Sequence, residues 1–474
     1  MNDSSRFAYL RTIKPQEIDL GTLDLSEFGT FVSGLYFYKN TANSPDFMPL
    51  DLLVRSFCRI VVDHYPIIAG RPAINSVGKG VLVVDPSNPN VPDIDDIHIE
   101  QPAESFFEIL PSETKGDPSA SFFNTRKLYS ISGIPNLPKA TYHRDNSSAI
   151  IRFLRFKDSP YVGLMFSISH VIFDGIGAIM FLNHWAEYTR NFAAVEDGAY
   201  QLIEPPLIDR KIMDQCFEDV EPLELPSIRH FKENLPSFSM ESPANIAPVL
   251  MATPDVEVLE EQHLIHFTAA NLERMRQDID PSQTTNTVLA ALMTKNVLLA
   301  NIKTYGTMPK TSYMVIPYDS RPISGIPRQY AGNASFAAIA PLSPKTVAEG
   351  SYRELILAIK EHSLKRESGH TKAALQTIET ELALLYQASF TLCNSPLSSY
   401  LCISNIRYMP LKAIDFGNGA PCITAMNYFF KEGMAYLYSN YQNGGLDLYL
   451  NYRDKNFKEF VELDDIKKYV NVIY

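Results

Sequence analysis

One short run holds the residue types of an acid–base centre. Ser169-His170-Val171-Ile172-Phe173-Asp174-Gly175 sets a carboxylate four positions after a histidine, with a glycine next to it. An imidazole titrates near neutrality, which suits a general base that takes a proton from an attacking group. Gly175 supplies the backbone freedom of a tight strand-to-helix turn. A histidine at such a turn projects from the strand end toward whatever space the sheet faces. Asp174 has two readings, as a partner of the histidine or as a pin for the loop through an arginine. A buried structural histidine in a glycine-containing turn is the plain alternative to catalysis.

Other chemistries lack their residues. No Gly-x-Ser-x-Gly elbow is present, and Ser169 adjoins His170, whereas strand neighbours point to opposite faces. The ten histidines show neither His-Glu-x-x-His nor paired ligand spacing, so no metal is expected. His263 and His266, three apart on an expected strand, read as structural. The five cysteines (Cys58, Cys216, Cys393, Cys402 and Cys422) are scattered and form no Cys-x-x-Cys. They suggest no disulfide framework and fit a reducing compartment. No Walker loop occurs, and neither Gly175-Ile176-Gly177 nor Gly417-Asn418-Gly419 makes a dinucleotide fingerprint. The formal charge of −12 argues against nucleic acid and anionic membranes. What remains is a lone base acting directly on an acceptor.

The elements around the motif follow from periodicity. A chain of 474 residues exceeds one ordinary core, and two domains are expected. Pro49–Tyr65 has apolar residues at helical spacing and is closed by Pro66. Ala149–Phe156 and Tyr161–Ser169 read as strands, and Ile176–Arg190 as the helix after the motif. The apolar stretch Gly163–Leu182 resembles a membrane span in length. His170 and Asp174 at its middle, and two glycines, favour a buried strand running into a buried helix. The N-terminus lacks an apolar h-region, so a soluble cytoplasmic protein is expected. Prolines recur between Glu204 and Pro254 with little periodicity, as in a crossover joining two domains. Beyond it come a strand at His263, a helix capped by Thr268, an apolar helix at Asn286–Ile302, helices at Tyr352–Leu364 and Thr371–Gln387, and a C-terminal antiparallel meander. Asn443-Gly444-Gly445 signals its last hairpin.

These motifs resemble those of the BAHD acyltransferase family, marked by HxxxDG near mid-chain and DFGWG near the C-terminus. The first stands at His170–Gly175. The second stands as Asp415-Phe416-Gly417-Asn418-Gly419, with Asn418 in place of the tryptophan. Tyr65–Pro72, Pro205–Arg210, Pro317–Arg321 and Tyr330–Asn333 resemble further family stretches in the same order. The likeness spans nearly the whole chain, and its departures from the best-known plant details hint at a fungal-type branch of secondary metabolism.

The resemblance implies an α/β fold of two chloramphenicol-acetyltransferase-like domains. Each carries a mixed sheet flanked by helices, and a tunnel runs between them. The expected division is 1–204, a linker at 205–254, and 255–474. It implies transfer from an acyl-CoA co-substrate to a hydroxyl or amine of a small molecule, without an acyl-enzyme. No permanent cofactor is implied, and a monomer is expected. His170 is the implied base. Asp174, Gly175, Arg321, Asp415 and Gly417 are implied as structural, with an Asp174–Arg321 ion pair. Where many relatives have Thr-Ser-Trp, this chain has Ile403-Ser404-Asn405; Asn405 either donates to the oxyanion or merely satisfies a strand end. Ser404, Thr285 and Asn286 are candidates for the coenzyme or substrate, with simple capping of their helix the preferred reading of the latter two. Two rivals stand beside this reading: a catalytically inactive small-molecule binder, and a condensation-type amide-forming enzyme, which usually shows a second histidine where Ser169 stands.

Overall fold

The computed structural model describes residues 7–27, 30–103, 106–109, 121–123, 125–132, 134, 147–217, 220–225, 227–230, 261–362, 372–374, 376–377, 381, 398–425, 432–440, 444–470 and 472–473. Most of the expected helix Thr371–Gln387 and most of the proline-rich crossover fall outside this set.

Two large sheets organise the chain. The first has five strands: β2 (Phe31–Lys39), β5 (Asp93–Ile99), β8 (Ala149–Phe156), β9 (Tyr161–Ser169) and β14 (Ile423–Ala425), in the order β14-β2-β9-β8-β5. The second has seven: β10 (Gln262–Phe267), β11 (Thr311–Asp319), β12 (Ser335–Leu342), β13 (Ser398–Asn405), β15 (Met434–Ser439), β16 (Leu446–Asn451) and β17 (Val472–Ile473), in the order β12-β11-β13-β15-β16-β10-β17. Both mix parallel and antiparallel pairings: β5–β8, β11–β13 and β13–β15 are parallel. Smaller sheets join β1 (Gln16–Asp19), β3 (Gly70–Ile74) and β4 (Gly80–Val84), and β6 (Phe107–Ile109) with β7 (Ser121–Phe123).

The C-terminal strands are therefore not a simple meander. Among the described residues, only β15 and β16 form the expected antiparallel hairpin, closed by Asn440 N–H to Gly445 O at 2.9 Å. The strand expected from Cys422 splits off. Its short β14 pairs with β2 in the other sheet, Thr424 opposite Tyr36, and the second half thereby reaches into the first.

Helices cover the sheets with the faces that periodicity predicts. After the short α1 (Thr22–Ser26), α2 (Leu50–Asp63) buries Leu53, Phe57, Ile60 and Val61. It packs on α3 (Gly175–Arg190), where Phe57 meets Trp185 edge-on at 5.2 Å between ring centroids. In the second half, α4 (Ala269–Ile279) is capped by Thr268 as expected, its hydroxyl accepting Asn271 N–H at 3.2 Å. The apolar α5 (Thr285–Tyr305) is buried on several faces and ends at Gly306, whose φ of 68° is the left-handed cap that glycine adopts without cost. His263 and His266 hold strands together: His263 Nε2 meets Tyr452 O at 2.9 Å, and His266 Nδ1 meets Asp447 Oδ1 at 2.6 Å.

Candidate active site

Strand β9 is buried at every position, and its apolar run ends in the turn at His170–Asp174, from which α3 departs. Asp174 caps that helix, its Oδ1 accepting Gly177 N–H at 2.8 Å. Arg321 grips the same carboxylate with Nη1 at 2.9 Å from Oδ2 and Nη2 at 3.0 Å from Oδ1. Ala334 N–H and the Ser335 hydroxyl fill the remaining sites on Oδ2 at 2.9 and 3.1 Å. Neither charge meets solvent: Asp174 is 0 % exposed and Arg321 2 %. Burial by itself would raise the carboxyl. Arg321 and the backbone donors outweigh it and hold Asp174 below the ordinary carboxylate range. Among the described residues His170 is not a partner of Asp174, so the two halves of the motif have separate surroundings.

The imidazole has its own partner. His170 is half-buried, and its Nδ1 lies 3.1 Å from Oδ1 of Asn333. The other end of the Asn333 amide decides the roles. Nδ2 lies 2.8 Å from the carbonyl of His170 and 2.8 Å from Oδ1 of Asp24. A carbonyl and a carboxylate only accept, so that end must be the NH₂. Oδ1 then faces the ring and Nδ1 carries a proton, so in the neutral ring the lone pair sits on Nε2.

Asp24 belongs to a second buried ion pair. Its Oδ2 lies 3.1 Å from Nε of Arg210, and Arg210 donates through Nη2 to the carbonyl of Ile172 at 2.6 Å. Residues 330–335 tie the two pairs together. The carbonyls of Tyr330 and Gly332 accept from Arg321 at 2.9 and 2.7 Å, while Asn333, Ala334 and Ser335 serve the contacts above. This loop comes so near α3 that a Cβ on Gly177 would stand 2.0 Å from the carbonyl of Ala331, a space only glycine leaves open. Gly175 faces less resistance, since a Cβ there meets the flexible end of Met409 at 2.8 Å.

A second constellation gathers two of the remaining candidates. Arg407 donates through Nε to Oδ1 of Asn405 at 3.0 Å, and through Nη2 to Oδ1 of Asn286 at 2.5 Å. With its Oδ1 held in this way, the NH₂ of Asn405 has no partner among the described residues. Ser404, beside it on β13, stands opposite Tyr436 of β15. Thr285 opens α5 but does not cap it. That role falls to Thr284, whose hydroxyl accepts Thr287 N–H at 3.2 Å, because the cap must precede the first helical residue.

The Asp415–Gly419 loop is built around one carboxylate oxygen. Asp415 Oδ1 accepts N–H groups of Gly417, Asn418 and Gly419 at 2.8, 3.0 and 2.9 Å. Gly417 and Gly419 have φ of 99° and 92°, values that disfavour any side chain. Asn418 points to solvent. Packing rests instead on Phe416, whose ring meets Trp185 edge-on at 4.8 Å and Tyr38 at 6.0 Å. Among the described residues no group of three histidine, cysteine or carboxylate side chains is arranged to hold a metal ion.

A sequence profile described as "Transferase: Transferase family" matches residues 153–465, more than half of the chain. The chain belongs to that family, the BAHD acyltransferases. Among relatives of this BAHD acyltransferase, fatty alcohol:caffeoyl-CoA acyltransferase of Arabidopsis thaliana is 21 % identical over 415 residues, 85 % of this chain and 83 % of that protein. Hydroxycinnamoyl-CoA:5-hydroxyanthranilate N-hydroxycinnamoyltransferase HHT4 of Avena sativa is 24 % identical over 438 residues, 88 % of this chain and 86 % of its own length. The crystal structure of F. sporotrichioides TRI101 complexed with coenzyme A and T-2 superposes with a TM-score of 0.66 at 14 % identity, covering 96 % of this chain and 99 % of that one. The fold is thus the expected two-domain acyltransferase architecture, and the BAHD chain is an acyl-CoA-dependent O- or N-acyltransferase with acyl-CoA as co-substrate. No helix among the described residues is long and apolar enough to cross a membrane; the stretch 163–182 is β9 followed by α3.

Sequence reading missed Asp24, Arg210, Asn333 and Arg407 as neighbours of the candidate site residues. Arg210 and Asn333 each ended a stretch that resembled the family, which was the available signal. Asp24 and Arg407 carried none, since their partners lie far away in sequence.

Proposed function

We propose that His170 acts through Nε2 as the general base in direct acyl transfer. It accepts the proton of an acceptor hydroxyl or amine as that group attacks the thioester carbonyl. A C–O or C–N bond forms, the C–S bond breaks, and the imidazolium returns the proton to the departing thiolate. No acyl-enzyme intervenes, so kinetics follow a ternary complex. Support rests on one observation: the Asn333 amide is oriented by two obligate acceptors, which makes Nδ1 a donor, and among the described residues no partner engages Nε2.

The tetrahedral intermediate carries negative charge and needs donors. Asn405 is assigned this role, because Arg407 occupies its carbonyl oxygen and leaves its NH₂ available. Asp174, Gly175, Arg321, Asp415 and Gly417 are assigned to the scaffold, and Ser404, Thr285 and Asn286 to the coenzyme side. Residues 1–204 and 255–474 act as the two walls of the site, with 205–254 as the linker, in a monomeric cytoplasmic enzyme.

Release of free thiol from a panel of acyl-CoAs, with alcohol and amine acceptors, tests the proposal. His170→Ala is expected to abolish acceptor-dependent release while coenzyme affinity and the unfolding transition stay near wild type. Turnover undiminished in that variant would refute the assignment.

A further inference from the structure

We propose that Asp24, braced by Arg210, is a positioning residue that selects the reactive tautomer of His170 through Asn333. This inference rests on His170 being the base, and it names what keeps that base ready.

An asparagine side chain fits its site almost equally well with oxygen and nitrogen exchanged. The wrong orientation would present NH₂ to the ring. His170 Nδ1 would then have to accept, the proton would move to Nε2, and the nitrogen needed for catalysis would be blocked. Something must therefore choose between the two. The carbonyl of His170 contributes, at 2.8 Å from Nδ2, but a neutral acceptor discriminates weakly. The charged acceptor is Asp24, whose Oδ1 lies 2.8 Å from the same nitrogen. Turning the amide over would set two oxygens against each other there.

Asp24 is fixed in turn. Its Oδ2 accepts Gly21 N–H at 2.9 Å and lies 3.1 Å from Nε of Arg210. Both members are buried, at 2 % and 5 % exposure. Arg210 is clamped by the Ile172 carbonyl and lies over the ring of Tyr330 at 5.8 Å. Gly332 lets the loop close over it, since a Cβ there would stand 2.0 Å from its Nη1. The result is a line of alternating demand from Arg210 to Asp24 to Asn333 to His170. Other charged groups lie close by. Glu27, at the end of α1, accepts from the Thr30 hydroxyl at 2.9 Å, and Thr30 O accepts His170 N–H at 2.9 Å. Tyr436 of β15 senses Glu27 electrostatically, and the Asp174–Arg321 pair lies behind the turn. Tyr330 feels Asp24 as well as the Asp174–Arg321 pair, and Arg210 feels Asp174, so the two pairs are electrostatically linked.

The test compares Asp24→Asn with the double variant Asp24→Asn/Arg210→Gln, which removes both buried charges and so leaves no unpaired cation to unfold the protein. His170→Ala serves as the control for the base. Three quantities are read: kcat and both KM values, the acid limb of the kcat/KM pH profile, and the ¹⁵N signals of His170 in histidine-labelled protein, identified by difference with His170→Gln. The expected result in the double variant is a kcat lower by about two- to tenfold, in proportion to the share of His170 that leaves the Nδ1–H form, with KM for acyl-CoA within about twofold. Wild-type protein should show the Nδ1–H form, and the double variant a mixture of both. In Asp24→Asn, which keeps Arg210 beside the site, the acid limb should move to lower pH. A double variant that folds and keeps wild-type kcat, pH profile and ¹⁵N pattern overturns the role of Asp24. If His170→Ala retains full turnover, the base assignment fails instead, whatever position 24 does.

Discussion

Replacing Asp174 by asparagine separates a strut from a proton-transfer group. The carboxylate is fully buried and accepts from Gly177 N–H, two nitrogens of Arg321, Ala334 N–H and the Ser335 hydroxyl. Asparagine keeps one oxygen, which can still serve Gly177 and one arm of Arg321, so most of the helix cap survives. Its NH₂ then takes the place of Oδ2 and confronts Arg321 Nη1 and Ala334 N–H, donor against donor. Arg321, only 2 % exposed, loses its fully buried counter-charge and keeps only the partly exposed Asp319, whose Oδ1 lies 2.8 Å from Nη1. Breaking a buried pair costs about 3–5 kcal/mol, and Asp319 offsets part of that. Urea unfolding followed by the fluorescence of Trp185, the one tryptophan of the chain, reads that loss. The double variant Asp174→Asn/Arg321→Gln should recover part of it, with a coupling energy above about 1 kcal/mol. At temperatures where the single variant stays folded, its pH–rate profile should match wild type. A variant that unfolds within about 0.5 kcal/mol of wild type yet loses turnover would contradict the strut.

Further predictions concern separate parts of the molecule. Phe416→Ala should cost about 3–5 kcal/mol and red-shift Trp185 emission, because it removes the ring packed edge-on at 4.8 Å; unchanged emission would show that the loop does not lean on Trp185. Asn405→Ala should lower kcat by ~10–100-fold with KM for acyl-CoA unchanged; parallel loss of coenzyme binding would assign it elsewhere. Burial lowers His184 from 6.5 to about 4, while the Tyr65 hydroxyl lies 2.6 Å from its Nδ1. The unfolded chain then binds this proton first on acidification, so the stabilising effect is complete above about pH 6.5 and is lost toward pH 4. Between pH 7 and pH 5 that amounts to at most about 2 kcal/mol. His184→Gln should abolish this share of the acid sensitivity in urea titrations, and an identical pH dependence in the variant would refute it.

Much of the scaffold was legible because its signals are local. The apolar run of β9, the glycine at 175 and the stripe of α3 lie within one stretch, and each obeys a short period. The Asp174–Arg321 contact entered through resemblance alone, since nothing in either stretch names the other. Asp24 shows why the rest stayed hidden. It lies in Thr22-Leu23-Asp24-Leu25, where a carboxylate reads as an ordinary helix-start residue. Its meaning comes from Arg210 and Asn333, brought to it by the fold across nearly two hundred and more than three hundred residues respectively. The strand near Cys422 was misplaced for a related reason. Alternation says that a segment is extended and nothing about which sheet receives it, and β14 crossed to the first half. Thr285 was offered as a cap where Thr284 caps, a slip of one residue among three adjacent threonine and asparagine residues that all suit the position.

On the proposal that His170 is the base, the placement of charge explains how a lone imidazole keeps one tautomer. Buried ion pairs are poor sources of net stability, because desolvation offsets most of their attraction. Two of them nevertheless stand behind one turn, Asp174–Arg321 and Asp24–Arg210, and each joins segments distant in sequence. Both also bind residues 330–335, Arg321 through carbonyls and Asp24 through the Asn333 amide. An apolar substitute could hold these segments together equally well, but it could not tell one end of an amide from the other. Directional partners can, and Asn333 is the point where orientation passes to the imidazole. The cost of burying four charges is then matched to a requirement of the chemistry: one ring nitrogen must be protonated and the other must not, before any substrate arrives.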